Sequence, residues 1–225
     1  RVCLMPTKNN PTLALEATTL WDFPRQNYGK TPKGDNKFNG VTPAFIIWNL
    51  IKRYTKEGDL IVDPMCGSGT TLDVCRDLQR KGIGFDLRCF RAGEAIKISD
   101  ARHIPLKSNT IDFVFMDPPY STHLEYSDDK RCLGRLDARS GDYYIEMEKV
   151  FTEMHRLLKD GRYIAVYVSD SFKKGKPFSA IGFELFARLS KNFNPVDIVA
   201  VVRHNRTLKR NHWHTSAVEG NYFLR

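Results

Sequence analysis

No apolar run in this chain approaches the roughly 18 residues that a membrane-spanning helix needs, and no basic segment leads into an apolar one at the N-terminus. Neither a membrane protein nor a secreted precursor is expected. The five cysteines (Cys3, Cys66, Cys75, Cys89 and Cys132) are an odd number without a C-x-x-C pair, which disfavours both a disulfide framework and a zinc site. No metal centre is anticipated, and a reducing, cytoplasmic compartment fits. Two nucleotide signatures are also missing. The glycine-rich stretch at 67–69 has Leu72 where the dinucleotide fingerprint needs its third glycine, and the G-K-S/T of a P-loop does not occur.

What is present suffices for one large domain. The chain has 225 residues, 41% hydrophobic and 12% aromatic, enough apolar matter for a substantial core. Residues 1–40 are rich in Pro, Asn, Gly and Lys with aromatic islands at Trp21, Phe23, Tyr28 and Phe38; they read as an arm packed on a domain formed by 41–225. The formal net charge of +9 favours a polyanionic partner such as nucleic acid, although solubility alone accounts for such a balance equally well.

From Thr42 onward apolar strands alternate with amphipathic helices. TPAFIIWNLIKRY opens with Thr42 as expected N-cap and Pro43 at the first helical position. Strands are expected at 59–66, 82–87, 95–101, 111–117, 163–170, 196–205 and 221–224. Helices are expected at 70–81, at 143–159 with Gly161 as terminator, and at 179–192. Strands that are apolar throughout imply a mostly parallel sheet covered on both faces. Ligands of such α/β sheets collect at the carboxyl ends of the strands.

Those ends carry acids. DLIVDPMCGSGT places Asp63 after one strand and a tight Gly67-Ser68-Gly69 turn before Thr70 opens a helix, whose N-terminal N–H groups suit a small anionic group. Asp86 ends the next strand, at the spacing of an acid that accepts ribose hydroxyls. Asp100 ends the third, and Asp117 the fourth, in IDFVFMDPPY. Each aspartate alone is compatible with an ordinary turn or cap. Together they form a line of acceptors suited to a ligand with ribose hydroxyls, an exocyclic amine and an ammonium group.

DPMCGSGT followed by DPPY, with Asp86 and Asp100 between them, resembles the amino-methyltransferases that use S-adenosylmethionine to methylate adenine N6 or cytosine N4 in DNA. The resemblance covers most of the chain from about Thr42. It implies a Rossmann-like class I methyltransferase with a seven-stranded, mostly parallel sheet, helices on both faces and a reversed C-terminal hairpin. It also implies cofactor contacts from Thr42 and Pro43, from Asp63, Met65, Cys66, Gly67, Ser68, Gly69 and Thr70, and from Asp86, Leu87, Asp100 and Ala101. The cofactor motif preceding DPPY, with a helix like TPAFIIWNL ahead of both, matches one of the permuted orders these enzymes show.

The chemistry explains why a buried strand should end in Asp-Pro-Pro-Tyr. An exocyclic base amine is a poor nucleophile because its lone pair is delocalised into the ring. The Asp117 carboxylate and the Pro118 carbonyl, held against the two N–H hydrogens, would localise that pair and aim it at the donor methyl. Pro118 and Pro119 stiffen the bracket. Tyr120 offers a ring for the base to stack on, and a duplex target would have to be rotated out to reach it. Asp117 is expected to find its partners in the amine and the cofactor cation. Methylation at cytosine C5 is disfavoured, because it needs a thiolate nucleophile and no cysteine lies near residue 120.

Arg203, Arg206, Lys209, Arg210 and Trp213 mix positive charge with an aromatic ring, the composition of a phosphate-tracking loop; a solvated hairpin is the competing reading. RNA remains an alternative substrate, and an inactive subunit that presents nucleic acid a non-enzymatic one. No added recognition region is visible, so a homodimer or a partner subunit is expected to supply sequence specificity if the arm and loops do not.

Overall fold

A computed structural model describes residues 13–23, 25–35, 40–91, 95–120, 126–171, 177–202, 215 and 217–220. Its centre is a sheet of five parallel strands: β2 (Leu60–Asp63), β3 (Lys81–Asp86), β4 (Ile96–Ile98), β5 (Ile111–Met116) and β6 (Leu158–Val166), in the order β4-β3-β2-β5-β6. The chain runs outward from β2 to β4 and then returns to place β5 on the other side of β2. The switch point therefore falls between β2 and β5, where their carboxyl ends leave a crevice.

Side-chain alternation along β5 divides the core. Val114 and Met116 join a cluster with Tyr143, Met147, Val150, Phe151, Met154 and Leu157, the buried stripe of helix α3 (Asp142–Leu157). Phe113 and Phe115 face the other way, onto helices α1 (Ala44–Tyr54) and α2 (Thr70–Asp77) through Ala44, Phe45, Ile47, Ile51, Val74 and Cys75. All six β5 side chains are buried, and each fully buried large apolar one contributes about 1.5–3 kcal/mol. Helix α4 (Ile181–Leu189) packs on α3, its N-terminal turn fixed by Asp170, which accepts the Gly182 N–H at 2.9 Å. No helix among the described residues is long and apolar enough to cross a membrane.

Several expectations need correction. Where one seven-stranded sheet was expected, the described residues form five strands plus a separate parallel pair, β1 (Leu20–Asp22) with β7 (Ala200–Val202). The arm thus pairs with a late segment, and no local sequence signal reports such a pairing. The reversed hairpin and the 221–224 strand lie outside the described residues. Gly161 does not end α3; β6 begins directly at Leu158. Its φ of 69° instead accommodates an irregularity where pairing jumps from Ile111↔Leu158 to Phe113↔Tyr163. Helix α1 starts one residue late, with Pro43 as N-cap. The Ala44 N–H is satisfied by the Gln26 carbonyl at 2.9 Å, so the arm takes over a role assigned to Thr42.

Candidate active site

The crevice at the switch point opens into a cavity of about 770 Å³, within the usual range for small-molecule sites. Its wall includes Thr42, Pro43, Asp63, Met65, Cys66, Gly67, Ser68, Thr70, Asp86, Leu87, Asp100, Ala101 and the whole Asp117–Tyr120 corner. Gly69 is not part of that wall. It lies one position behind as the N-cap of α2, with a φ of 83° that favours glycine there. Arg203, Arg206, Lys209, Arg210 and Trp213 fall outside the described residues.

The turn after β2 is built around a buried acid. Asp63 Oδ2 accepts from the Thr71 hydroxyl at 2.5 Å and Oδ1 from the Met65 N–H at 3.1 Å. Burial pushes its carboxyl up to about 7, with the Asp117 and Asp86 charges adding to the rise. The Cys66 thiol is likewise pushed far up by burial and is no nucleophile. Gly84 of β3 lets this turn come close: a Cβ there would lie 2.5 Å from Cys66 Sγ.

Asp86 closes one end of the cavity. Its Oδ2 accepts the Gly67 N–H at 2.9 Å and Oδ1 the Arg88 N–H at 3.4 Å, and burial raises its pKa. With about four acceptor positions on a carboxylate, it retains capacity for ribose hydroxyls. Asp100 does not stand open as expected. Arg102 engages both its oxygens, at 2.9 and 2.5 Å, and ties them to Glu146; this pairing outweighs burial and lowers the Asp100 pKa. Asp100 therefore shapes the wall through an ion pair.

At the other end, Asp117 has partners that the sequence reading did not assign. Phe113 and Phe115 of β5 face α1, and Asp117 continues their parity, so its Oδ2 meets the Thr42 hydroxyl just ahead of α1. Oδ1 accepts from the Tyr120 hydroxyl at 2.5 Å. Burial and the Asp117 charge raise the Tyr120 pKa well above its ordinary value, which keeps that hydroxyl a donor. Tyr120 is thus held by its tip as well as offering its ring to the cavity.

The arm was read as lying on the domain. Phe23, Arg25, Gln26 and Asn27 are in fact part of the cavity wall. The arm is fastened to α2 by Gly34, whose N–H donates to Asp73 at 2.8 Å, and by Lys33, paired with Asp77 at 2.9 Å. Tyr126 and Tyr167 also line the cavity. Tyr167 is the in-register neighbour of Asp117, following the Met116↔Val166 pair, and was invisible until strand order was known.

A family model described as DNA methylase, for N6 and N4 methyltransferases, matches residues 7–96 and 111–222. The chain belongs to this DNA methylase family. Among similar curated proteins is the probable type III restriction-modification enzyme HindVI Mod subunit of Haemophilus influenzae. It is 34% identical over 84 residues, 37% of this chain and 11% of that protein. The type II methyltransferase M.EcaI of Enterobacter cloacae is 52% identical over 48 residues, 21% of this chain and 11% of its own length. The chain thus matches only a small part of these relatives. A similar solved structure is the geranyl diphosphate C-methyltransferase of Streptomyces coelicolor, with a TM-score of 0.45 and 14% identity, covering 67% of this chain and 57% of that one.

The wall of this methylase cavity suits S-adenosylmethionine in kind. Acceptor oxygens at Asp86 and Asp117 match a ligand with an ammonium, a sulfonium and ribose hydroxyls, and the glycine turn, braced from behind by Asp63, admits close approach of backbone. Among the described residues no cluster of three or more His, Cys, Asp or Glu is arranged to hold a metal ion.

Proposed function

We propose that this chain transfers a methyl group from S-adenosylmethionine to the exocyclic amine of a base in DNA, adenine N6 ahead of cytosine N4. The observation that carries the reading is the cavity in which the Asp117–Tyr120 corner of β5 meets the glycine turn of β2. The DNA methylase family to which the chain belongs supports DNA as substrate, as do relatives named as a type III restriction-modification Mod subunit and a type II methyltransferase.

Asp86 would hold the cofactor ribose, the Asp63–Thr70 turn its amino-acid end, and Leu87 and Ala101 the sides of its adenine. When bound, the donor supplies an electrophilic methyl group and leaves as a neutral thioether. The rest falls to the protein. Asp117 and the Pro118 carbonyl accept the two amine hydrogens and so localise the nitrogen lone pair. Thr42 and Tyr120 each donate to one oxygen of that carboxylate and so hold it for the amine. Tyr120 stacks on the base, worth ~1–3 kcal/mol. The proton released by the methylated nitrogen passes to Asp117 or to water.

Arg203, Arg206, Lys209, Arg210 and Trp213 are assigned to the DNA backbone and its bases. They follow directly on β7, and Val201 and Val202 of that strand line the cavity. A second copy or a partner subunit is proposed to supply sequence recognition. The test is tritiated methyl transfer to matched DNA and RNA followed by nucleoside analysis. N6-methyladenine in DNA is expected. Label in RNA alone would remove the DNA assignment, and label in neither would leave a non-catalytic subunit.

A further inference from the structure

We propose that Thr42 is a positioning residue for methyl transfer, fixing the Asp117 carboxylate through its hydroxyl, and that Gln26 of the arm holds Thr42 in place. The inference rests on Asp117 being the group that engages the target amine.

Two hydroxyls donate to Asp117, and they are not equivalent. Tyr120 belongs to the same corner, three residues on, and packs against the α3 side of the core. Thr42 comes from a different element, 75 positions away in sequence. It is only 8% exposed, and as a β-branched residue it has few χ1 rotamers to lose. Its hydroxyl therefore fixes Oδ2 from outside the loop at low entropic cost.

Thr42 is itself held from behind. The Gln26 side-chain amide donates to the Thr42 carbonyl at 2.6 Å and to the Val41 carbonyl at 3.2 Å. The Gln26 carbonyl accepts the Ala44 N–H at 2.9 Å. The side-chain amide and the main-chain carbonyl of one glutamine thus clamp the turn ahead of α1. A hydrogen-bonded chain runs from the arm through Gln26 and Thr42 to Asp117. Since a displacement of about 1 Å at a reacting group can cost ~10²-fold in rate, the arm becomes part of the transfer machinery.

The test is single-turnover methyl transfer into DNA by Thr42→Val, Thr42→Ser and Gln26→Ala, with KM for S-adenosylmethionine, beside crystal structures of the wild type and Thr42→Val. The Val variant is expected to lose roughly 30- to 100-fold in rate with KM changed less than about threefold. Ser, which keeps the hydroxyl, should recover to within about fivefold, and Gln26→Ala should fall in between. A Val variant at wild-type rate, an equal loss in Ser, or a loss confined to KM would overturn the proposal. Should the wild type itself transfer nothing to DNA, the underlying reading fails. The crystal structures still decide the positioning: Asp117 turned away in Thr42→Val supports it, and an unchanged carboxylate refutes it.

Discussion

Asp117 and Asp63 are both acids at strand ends, yet their surroundings give them different work. Asp117 accepts hydrogen bonds from the Thr42 and Tyr120 hydroxyls; Asp63 is fully enclosed, and burial favours its proton. Replacing Asp117 by Ala should lower the transfer rate by ~10²–10³ or more, the scale of a lost preorganised group, while S-adenosylmethionine affinity stays within a few-fold. Single-turnover kinetics and calorimetry check the two halves, and retained turnover would remove the bracket from the mechanism. For Asp63 the consequence is a pH dependence of stability. The folded protein keeps this proton up to about pH 7, whereas an unfolded aspartate releases it near 3.8. The folded state therefore binds the extra proton between those values, and its stability falls as pH rises through them, by up to about 1.4 kcal/mol per pH unit. Asp86, raised in the same direction, contributes with the same sign. Urea unfolding at several pH values between 5 and 7.5 should show a shallower slope in Asp63→Asn; parallel curves would contradict the assignment.

At the scale of elements, β5 was legible because IDFVFM is apolar at every position but Asp112 and the two prolines enforce the stop. The glycine turn was legible for a similar reason: few sequences other than Gly-x-Gly fit it between strand and helix. Boundaries were less so. Thr42 looked like a helix cap from its neighbours, but a partner 75 positions away claimed its hydroxyl. Asp100 looked like an open acceptor until Arg102 and Glu146 enclosed it. Gly84 shows how tightly these elements meet, because a methyl group there would run into Cys66 Sγ and Cβ at 2.5 and 3.0 Å. Gly84→Ala should destabilise the protein by about 1–3 kcal/mol. Melting would drop by roughly 3–10 °C for a domain of this size, with weaker cofactor binding because the Cys66 turn is displaced. Unchanged melting by calorimetry would mean that the turn yields more easily than the contacts indicate.

For the whole molecule, the net charge of +9 bears on association with DNA. If Arg206 and Arg210 each neutralise a phosphate, replacing either by Ala should reduce the slope of log affinity against log salt by about one, uniformly across sequences. Fluorescence anisotropy across a salt series measures this, and an unchanged slope in both variants would place the phosphate contacts elsewhere. The sequence by itself determined the parallel α/β class, the cavity's placement at the carboxyl strand ends and most of its wall. Hydrophobic periodicity, glycine and proline act within a few residues of chain, so their effects can be read locally. Only the tertiary structure decided that the arm walls the site, that β1 pairs with β7 apart from the central sheet, and that Asp117 is held by Thr42. Each of these joins residues far apart in the chain, and such contacts depend on strand order and packing, which no local pattern encodes.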